Sequence, residues 1–558
     1  METQLPPALF KPTSGPAVVS ALLRRASISP LVRQVVGSNF NAAVERLDGF
    51  WDASRLRRFV TTALDGEQLI VVSNREPCSH ERIDGRVQLI QPAGGLITAV
   101  EPVVGACAGT WIAHGSGNAD REFVDDGDVW QAPAERGAYR IRRLWLSNEE
   151  QRGHGDGFSN SGLWPLCHMA HVRPLFTERD WAQYRAVNRR FADAVVEEAR
   201  QPDPVVLVHD YHLALVPALV RKHLPHATIV SFWHVPWSHP DQMGICPWLP
   251  EIVRGLLGSD IVGFQTPEHV RHFAAAVDHD ARPAPDQGGH EIVRHGHCTR
   301  VRDYPISIAW PTAPEVAAWP SVARCRLDAA LRFALPADGR LIVGIDRFDY
   351  TKGLLERLRA VEQLLVSYPQ WRGRIRYVQV AAPTRTALAE YAGIRMQVWA
   401  EVERINARFA ASGPDPILLL DAHHDHAAVN ALYRAADVCL VTSLHDGMNL
   451  VCKEFIAARD DEQGVLVLSR FAGAAHELTQ ASIVNPYHSA EVAEAIHRGL
   501  AMPPHEQRRR MRSLRATVRE NNAYRWAASM LIDAAALRSA SSTRSAETPD
   551  SVAMSALA

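Results

Sequence analysis

The chain has 558 residues, a net charge of -2, 47% hydrophobic residues and 22% charged residues. That length exceeds what a single hydrophobic core serves, so two large domains are expected. The near-zero net charge argues against a nucleic-acid partner held by phosphate neutralisation. No run of about 18 apolar residues occurs, so no segment reads as membrane-spanning. The N-terminus lacks the charged, apolar, then small-residue order of a signal peptide. Eight cysteines with no C-x-x-C pair read as reduced core residues of a cytoplasmic protein.

In chain order, residues 1–66 read as an N-terminal extension with some helix. Short Val/Ile/Leu-rich runs then alternate with helical patterns. "QLIVVSN", "GTWIAHG", "PVVLVHD", "TIVSFWH" and "DIVGFQT" fall in the first half. "RLIVGID", "IRYVQVA", "PILLLDA", "DVCLVTS", "GVLVLS" and "SIVNP" fall in the second. Such runs are the mark of buried parallel strands, and their alternation with helices implies βαβ units. Leu354, Leu355, Leu358, Val361, Leu364 and Leu365 share one face of a helix. The predicted class is α/β, with two doubly wound domains at 67–320 and 321–515 joined through the Pro- and Ala-rich "AWPTAPEVAAWP". A single barrel is the rival architecture and needs a more regular repeat. Residues 516–538 read as a last helix, and the small, polar stretch 539–558 as a disordered tail.

Polar residues gather at the C-terminal ends of these strands: Asn74 and Arg75, His209 and Asp210, His234, Asp346 and Arg347, His445 and Asp446. Open α/β sheets bind ligands at such ends. Gly94 and Gly95 precede an apolar helix, where free amides suit an anion or form a plain turn. In "DRFDYTKGLLERL", Arg347 and Lys352 flank a helix start and suit a diphosphate. Asp210 reads as an N-cap, as a cleft residue, or as both, since a cap can also face the cleft. The group His423, His424, Asp425 and His426 reads as a metal site or as a helix start capped by Asp425. Adjacent histidines point apart, which favours the cap.

The motifs "VVSNR", "GGL", "LWPLCH", "VHDYHLALVP", "FWHVPW", "GFQT", "DRFDYTKGLLERL", "APTR", "DGMNLVCKEF" and "SRFAGAAHEL" follow one another in that order. Together they resemble the trehalose-6-phosphate synthase family of retaining glycosyltransferases, over about 69–537. The resemblance implies a GT-B fold: two Rossmann-like domains with a cleft between them. It also implies a last helix, "NNAYRWAASMLID", that crosses back to the first domain.

The implied reaction moves glucose from UDP-glucose to glucose 6-phosphate, with no cofactor and no metal. Gly95, His234, Arg347, Lys352, Asp446, Asn449, Leu450 and Glu454 match the family's donor site, Glu454 taking the ribose diol. Arg75, Trp164, Asp210 and Arg385 match the acceptor site. Asp210, His234, Arg347, Lys352 and Asp446 match the catalytic set. The implied partners are these two small molecules and, as one option, further copies of the chain. The acceptor side departs from the family pattern. Gly155, in a Gly-rich stretch read as a loop, stands where the family has a tyrosine, with His154 or a neighbour as substitute. His114 stands at a second aromatic position. Glycerol 3-phosphate or another phosphorylated acceptor, as in glucosylglycerol-phosphate synthase-like enzymes, is therefore the alternative. A non-catalytic sugar-phosphate binder is a further alternative, which the presence of Arg347, Lys352 and Glu454 disfavours.

Overall fold

The structure, a computed structural model, describes residues 49–63, 68–91, 95–133, 137, 139–277, 282–283, 290–386 and 388–546. Most of the expected extension (1–48), Gly94 and the end of the expected tail (547–558) lie outside the described residues.

The first half contributes β1 (Leu69–Arg75), β2 (Ser79–Ile83), β3 (Arg86–Ile90), β4 (Thr110–His114), β5 (Val129–Gln131) and β6 (Arg140–Leu144). It continues with β7 (Val205–His209), β8 (Thr228–Phe232), β9 (Ile261–Phe264), β10 (Arg282–Pro283), β11 (His290–Arg294) and β12 (His297–Asp303). The second half contributes β13 (Arg340–Arg347), β14 (Ile375–Ala382), β15 (Ile417–Leu420), β16 (Val438–Val441), β17 (Val465–Ser469) and β18 (Ser482–Val484).

The first sheet is ordered β10-β11-β12-β9-β8-β7-β1-β4-β6-β5, parallel from β12 to β6 and antiparallel at both edges. The second is wholly parallel, ordered β15-β14-β13-β16-β17-β18. Both are Rossmann-like, and together they make the GT-B architecture. Every residue of β7 and β8 is buried, as expected of strands covered by helices on both faces. Chain order reverses direction between β1 and β7 in one sheet, and between β13 and β16 in the other. Such reversals splay the flanking loops apart and open a crevice beyond the strands' C-terminal ends.

Helix Leu354–Ser367 shows why its sequence is amphipathic. Leu354, Leu358, Val361, Leu364 and Leu365 are buried against Ile342, Tyr377, Val438 and Leu440. Arg357 is buried among them and donates to Asp346 Oδ2 at 2.7 Å and to Thr442 Oγ1 at 2.9 Å, bracing the ends of the central strands.

Two readings from the sequence change, and a third gains detail. Within the expected extension, Ala53–Ala63 is a helix that packs on helix Gly95–Cys107. The last helix, Ala523–Ala546, runs past 538 into the stretch read as tail. No helix breaker occurs between its start and Pro549, and an established helix propagates cheaply. The Gly-rich stretch is no loose loop: Gln151–Leu163 winds as a wide π-type helix. Three of its four glycines, Gly153, Gly157 and Gly162, serve close packing. A Cβ on Gly153 would sit 2.6 Å from Gln183 Cγ, and one on Gly162 2.6 Å from Phe176 Cε1.

The last helix lies on the first sheet, against β8, helix Ala53–Ala63 and helix Gly95–Cys107. Asn522 Nδ2 donates to Trp51 O at 2.9 Å, and Tyr304 Oη donates to Asp533 Oδ2 at 2.7 Å. No described helix is long and apolar enough to cross a membrane.

Candidate active site

Beyond the two chain reversals lies one cleft of about 870 Å³. Arg75 ends β1 and Asp210 follows β7; Arg347 ends β13 and Asp446 follows β16. Gly95, Trp164, His234, Lys352, Arg385, Asn449, Leu450 and Glu454 complete the wall picked out from the sequence. The fold therefore brings every one of those residues to a single cavity.

One end of the cleft is cationic. Arg385 lies 4.0 Å over the Trp164 ring and Arg347 lies 5.9 Å over it. Arg75 is close enough to both to feel their charge: burial first, then Arg347 and Arg385, bring its pKa down to about 10. Burial also works against Arg385, but the Tyr211 and Tyr391 phenols and Asp349 outweigh it and raise its pKa. Arg385 Nη2 donates to Tyr211 Oη at 3.2 Å. Buried beside this group, Asp349 Oδ2, Arg385 Nε and Trp164 Nε1 lack hydrogen-bond partners. Guanidinium groups packed against each other with unused donors form a site made for a multivalent anion.

The stretch Leu444–Phe455 forms the adjoining wall. Lys352 Nζ lies 2.5 Å from Asp446 Oδ2, which also accepts from Asn449 Nδ2 at 3.1 Å and Ser443 Oγ at 3.2 Å. Burial favours the neutral acid at Asp446, but Lys352 and Asn449 hold its pKa below the usual carboxylate range. Asn449 adopts a left-handed φ of 76°, which turns the chain sharply into helix Val451–Ala458. A side chain on Gly447 would strike the His234 carbonyl, so this loop closes tightly against the first domain. A Cβ on Gly95 would lie 3.0 Å from Leu450 Cδ1, so two helix starts meet there, and the first amides of a helix have no partner within it. Glu454 accepts from Tyr433 Oη at 3.1 Å, and burial pushes its pKa up to about 7.

Asp210 is not the N-cap that its position suggested, because its side chain makes no capping bond to the turn Tyr211–Leu213. It accepts from the His234 amide at 3.2 Å, and burial raises its pKa to about 6. Its backbone stands at φ 76° and ψ 165°, a region nearly reserved for glycine. Asp425 does cap its helix, accepting from Ala428 N at 2.7 Å. Among the described residues no three His, Cys, Asp or Glu side chains cluster as metal ligands.

Neither acceptor-side departure is among the residues that line the cleft, although Asp156, next to Gly155, feels the charge of Arg385. His114 Nδ1 bonds the Leu144 carbonyl at 3.0 Å, and a Cβ on Gly155 would meet nothing within 4 Å. His154 does not stand in for the missing ring: it is buried, and its Nε2 lies 3.0 Å from the His212 carbonyl. The sequence reading passed over Tyr211, Tyr391 and Asp349, which orient Arg385. It named His209 and His234 as strand-end residues but not the bond between them, His209 Nδ1 to His234 Nε2 at 3.0 Å. Tyr211 and His209 sat inside the quoted "HDYH"; nothing local marked Tyr391.

Comparison with known proteins places the chain in a family. The model of glycosyltransferase family 20 matches residues 67–536. The trehalose-6-phosphate synthase of Mycolicibacterium vanbaalenii is 37% identical over 479 residues, covering 84% of this chain and 95% of that one. A bifunctional trehalose-6-phosphate synthase/phosphatase of Thermoproteus tenax is also 37% identical, over 85% of this chain; the match spans 64% of that longer protein. A UDP-forming α,α-trehalose-phosphate synthase of Burkholderia xenovorans, solved with glucose-6-phosphate, superposes with a TM-score of 0.72 at 33% identity, covering 84% of this chain and 99% of that one. The E. coli structure bound with UDP-2-fluoro glucose superposes at 0.73 and 32% identity, covering 84% and 99%. The chain belongs to glycosyltransferase family 20.

Proposed function

We propose that the protein transfers glucose from UDP-glucose to glucose 6-phosphate with retention, giving α,α-trehalose 6-phosphate and UDP. The observation that carries this reading is the group Arg75, Arg347 and Arg385 around Trp164, set beside the Lys352–Asp446 pair and two helix starts in one cleft. Such a cleft suits two phosphorylated substrates at once.

In this reading Arg75 and Arg385 hold the acceptor phosphate over Trp164, and Asp210 accepts from an acceptor hydroxyl. Arg347, Lys352 and the amides near Gly95 and Leu450 offset the charge that grows on the leaving diphosphate. Asp446 and the Asn449–Leu450 backbone bind the donor glucose, and His234 meets it from the first domain. Glu454 accepts from both ribose hydroxyls. The acceptor oxygen attacks C1 on the face from which the diphosphate departs, and the acceptor's proton passes to that diphosphate. Protein cations carry the charge stabilisation, so turnover is expected to persist in excess chelator. Loss of turnover there would return attention to His423–His426.

Glucose 6-phosphate is preferred to glycerol 3-phosphate because Arg75, Trp164, Asp210 and Arg385 all line the cleft, while His114 and Gly155 do not. UDP release measured with glucose 6-phosphate, glycerol 3-phosphate, free glucose and no acceptor tests this. Strong release with glucose 6-phosphate alone is expected; strong release with glycerol 3-phosphate instead would overturn the acceptor.

Donor affinity should also depend on pH. Glu454 accepts both ribose hydroxyls only as the anion, and burial holds its pKa near 7. UDP-glucose affinity is therefore expected to fall by up to about tenfold per pH unit below that value and to level off above it. Glu454→Gln should bind weakly at every pH with a flat profile in calorimetry. A profile as steep as wild type in that variant would remove Glu454 from the ribose.

A further inference from the structure

His209 ends β7 and His234 lies just past β8. The parallel register sets His209 opposite Phe232, and His209 Nδ1 comes to 3.0 Å from His234 Nε2. Behind the pair stands Trp526 of the last helix, its ring centre 6.1 Å from that of His209 and 6.3 Å from that of His234. His209 and Trp526 are buried, and two polar atoms there have no hydrogen-bond partner: His209 Nε2 and Trp526 Nε1. Burial holds both imidazoles neutral, His209 with a pKa near 3 and His234 well below its ordinary value. Each ring therefore carries a single N–H.

Two arrangements satisfy the shared bond. If His234 Nε2–H donates to His209 Nδ1, then His209 must carry its own proton on Nε2. That buried N–H would have no acceptor, and the indole N–H of Trp526 has none either. If instead His209 Nδ1–H donates to His234 Nε2, the unpartnered atom of His209 is a bare lone pair. Only the indole donor then lacks a partner. Buried N–H groups without acceptors are rarer and costlier than carbonyl-like acceptors left idle, so the second arrangement is favoured.

The proton on His234 is then on Nδ1. His234 lines the cleft and its Nε2 is occupied, so Nδ1 is the ring nitrogen that can meet a bound molecule. We propose that His209 is a positioning residue that fixes His234 as its Nδ1–H tautomer, so that His234 offers the substrate a hydrogen-bond donor. A neutral imidazole with its N–H toward the cleft cannot take a proton from the substrate at that atom. It can donate to a sugar or phosphate oxygen. Which oxygen it meets rests on the proposed function; the tautomer does not.

Nitrogen-15 spectra of histidine-labelled protein at neutral pH read the tautomer directly, with His234→Gln used to assign the signals. His234 is expected to show a protonated Nδ1 and a bare Nε2, and His209 a protonated Nδ1. A protonated Nε2 on His234 would overturn the proposal. His209→Phe keeps the ring volume and removes the bond. His234 should then shift toward its Nε2–H form, and kcat/KM should fall roughly tenfold to hundredfold, the scale on which a lost orienting bond acts. His209→Asn, whose amide nitrogen reaches near the Nδ1 position, should restore the Nδ1–H form and most of the lost turnover. An unchanged His234 tautomer in His209→Phe would also overturn the proposal. If that variant fails to fold, the wild-type and His209→Asn spectra decide. Absence of glucosyl transfer in the wild type would refute the proposed function and leave the tautomer result standing.

Discussion

Arg347→Ala is expected to lower turnover by about 100- to 1,000-fold while leaving stability undiminished, whereas Lys352→Ala should lose both turnover and stability. The kinetic effect is that of removing a preorganised charge from a transition state, roughly 3–4 kcal/mol. The structural difference lies in what each cation faces. Arg347 has no ion pair among the described residues, and it presses its charge on Arg75. Its removal relieves that repulsion but also takes a favourable charge from the buried Asp349, so the two effects offset each other. Lys352 is bonded to Asp446 at 2.5 Å, with both side chains largely buried. Its removal strands a buried carboxylate, a loss of about 3–5 kcal/mol for fully buried pairs and somewhat less here. UDP release and urea unfolding on the two variants separate these terms. Near-normal turnover in Arg347→Ala would sink the diphosphate assignment. Equal stability in the two variants would sink the pairing argument.

Asp210→Gly is expected to give a more stable but inactive protein. The φ of 76° and ψ of 165° at Asp210 suit glycine, and holding another residue there costs about 1–3 kcal/mol. Glycine's extra freedom in the unfolded chain offsets roughly 0.5–1 kcal/mol of the gain. The carboxyl adds to the effect. Burial raises its folded pKa to about 6, above its unfolded value. Its contribution to stability is therefore fully present below the unfolded pKa and is lost as pH rises through about 6. The advantage of Asp210→Gly should accordingly be larger at pH 8 than at pH 4. Turnover should drop by about 100-fold or more, because the acceptor loses a charged hydrogen-bond partner. A variant less stable than wild type at pH 8 would mean that the carboxylate's bonds outweigh its strain and burial. Strain kept at a site where it aims a functional group is the usual trade of stability for activity.

Much of this protein was legible in one dimension. The buried strands announced themselves as Val/Ile/Leu runs because both faces of a parallel strand are covered, and polar side chains at their ends had to belong to the crevice. The ordered motifs carried the family and, with it, the cleft residues from Arg75 to Glu454. What sequence patterns missed depends on contacts between residues far apart in the chain. The Gly-rich stretch 151–163 read as loose because its glycines look flexible alone; Gly153 and Gly162 pack a wide helix against Gln183 and Phe176. Asp210 looked like a cap because a carboxylate after a strand and before a turn often is one; only the fold shows it strained and bonded to the His234 amide. Tyr391 reaches Arg385, and Trp526 backs His209, across separations that no local period records. Strand and helix patterns follow from each residue's own burial, which repeats along the chain. The charge balance of the arginine group, the Lys352–Asp446 pair and the tautomer of His234 were decided only when the two sheets and the last helix came together, since electrostatics and buried hydrogen bonds are set by neighbours in space.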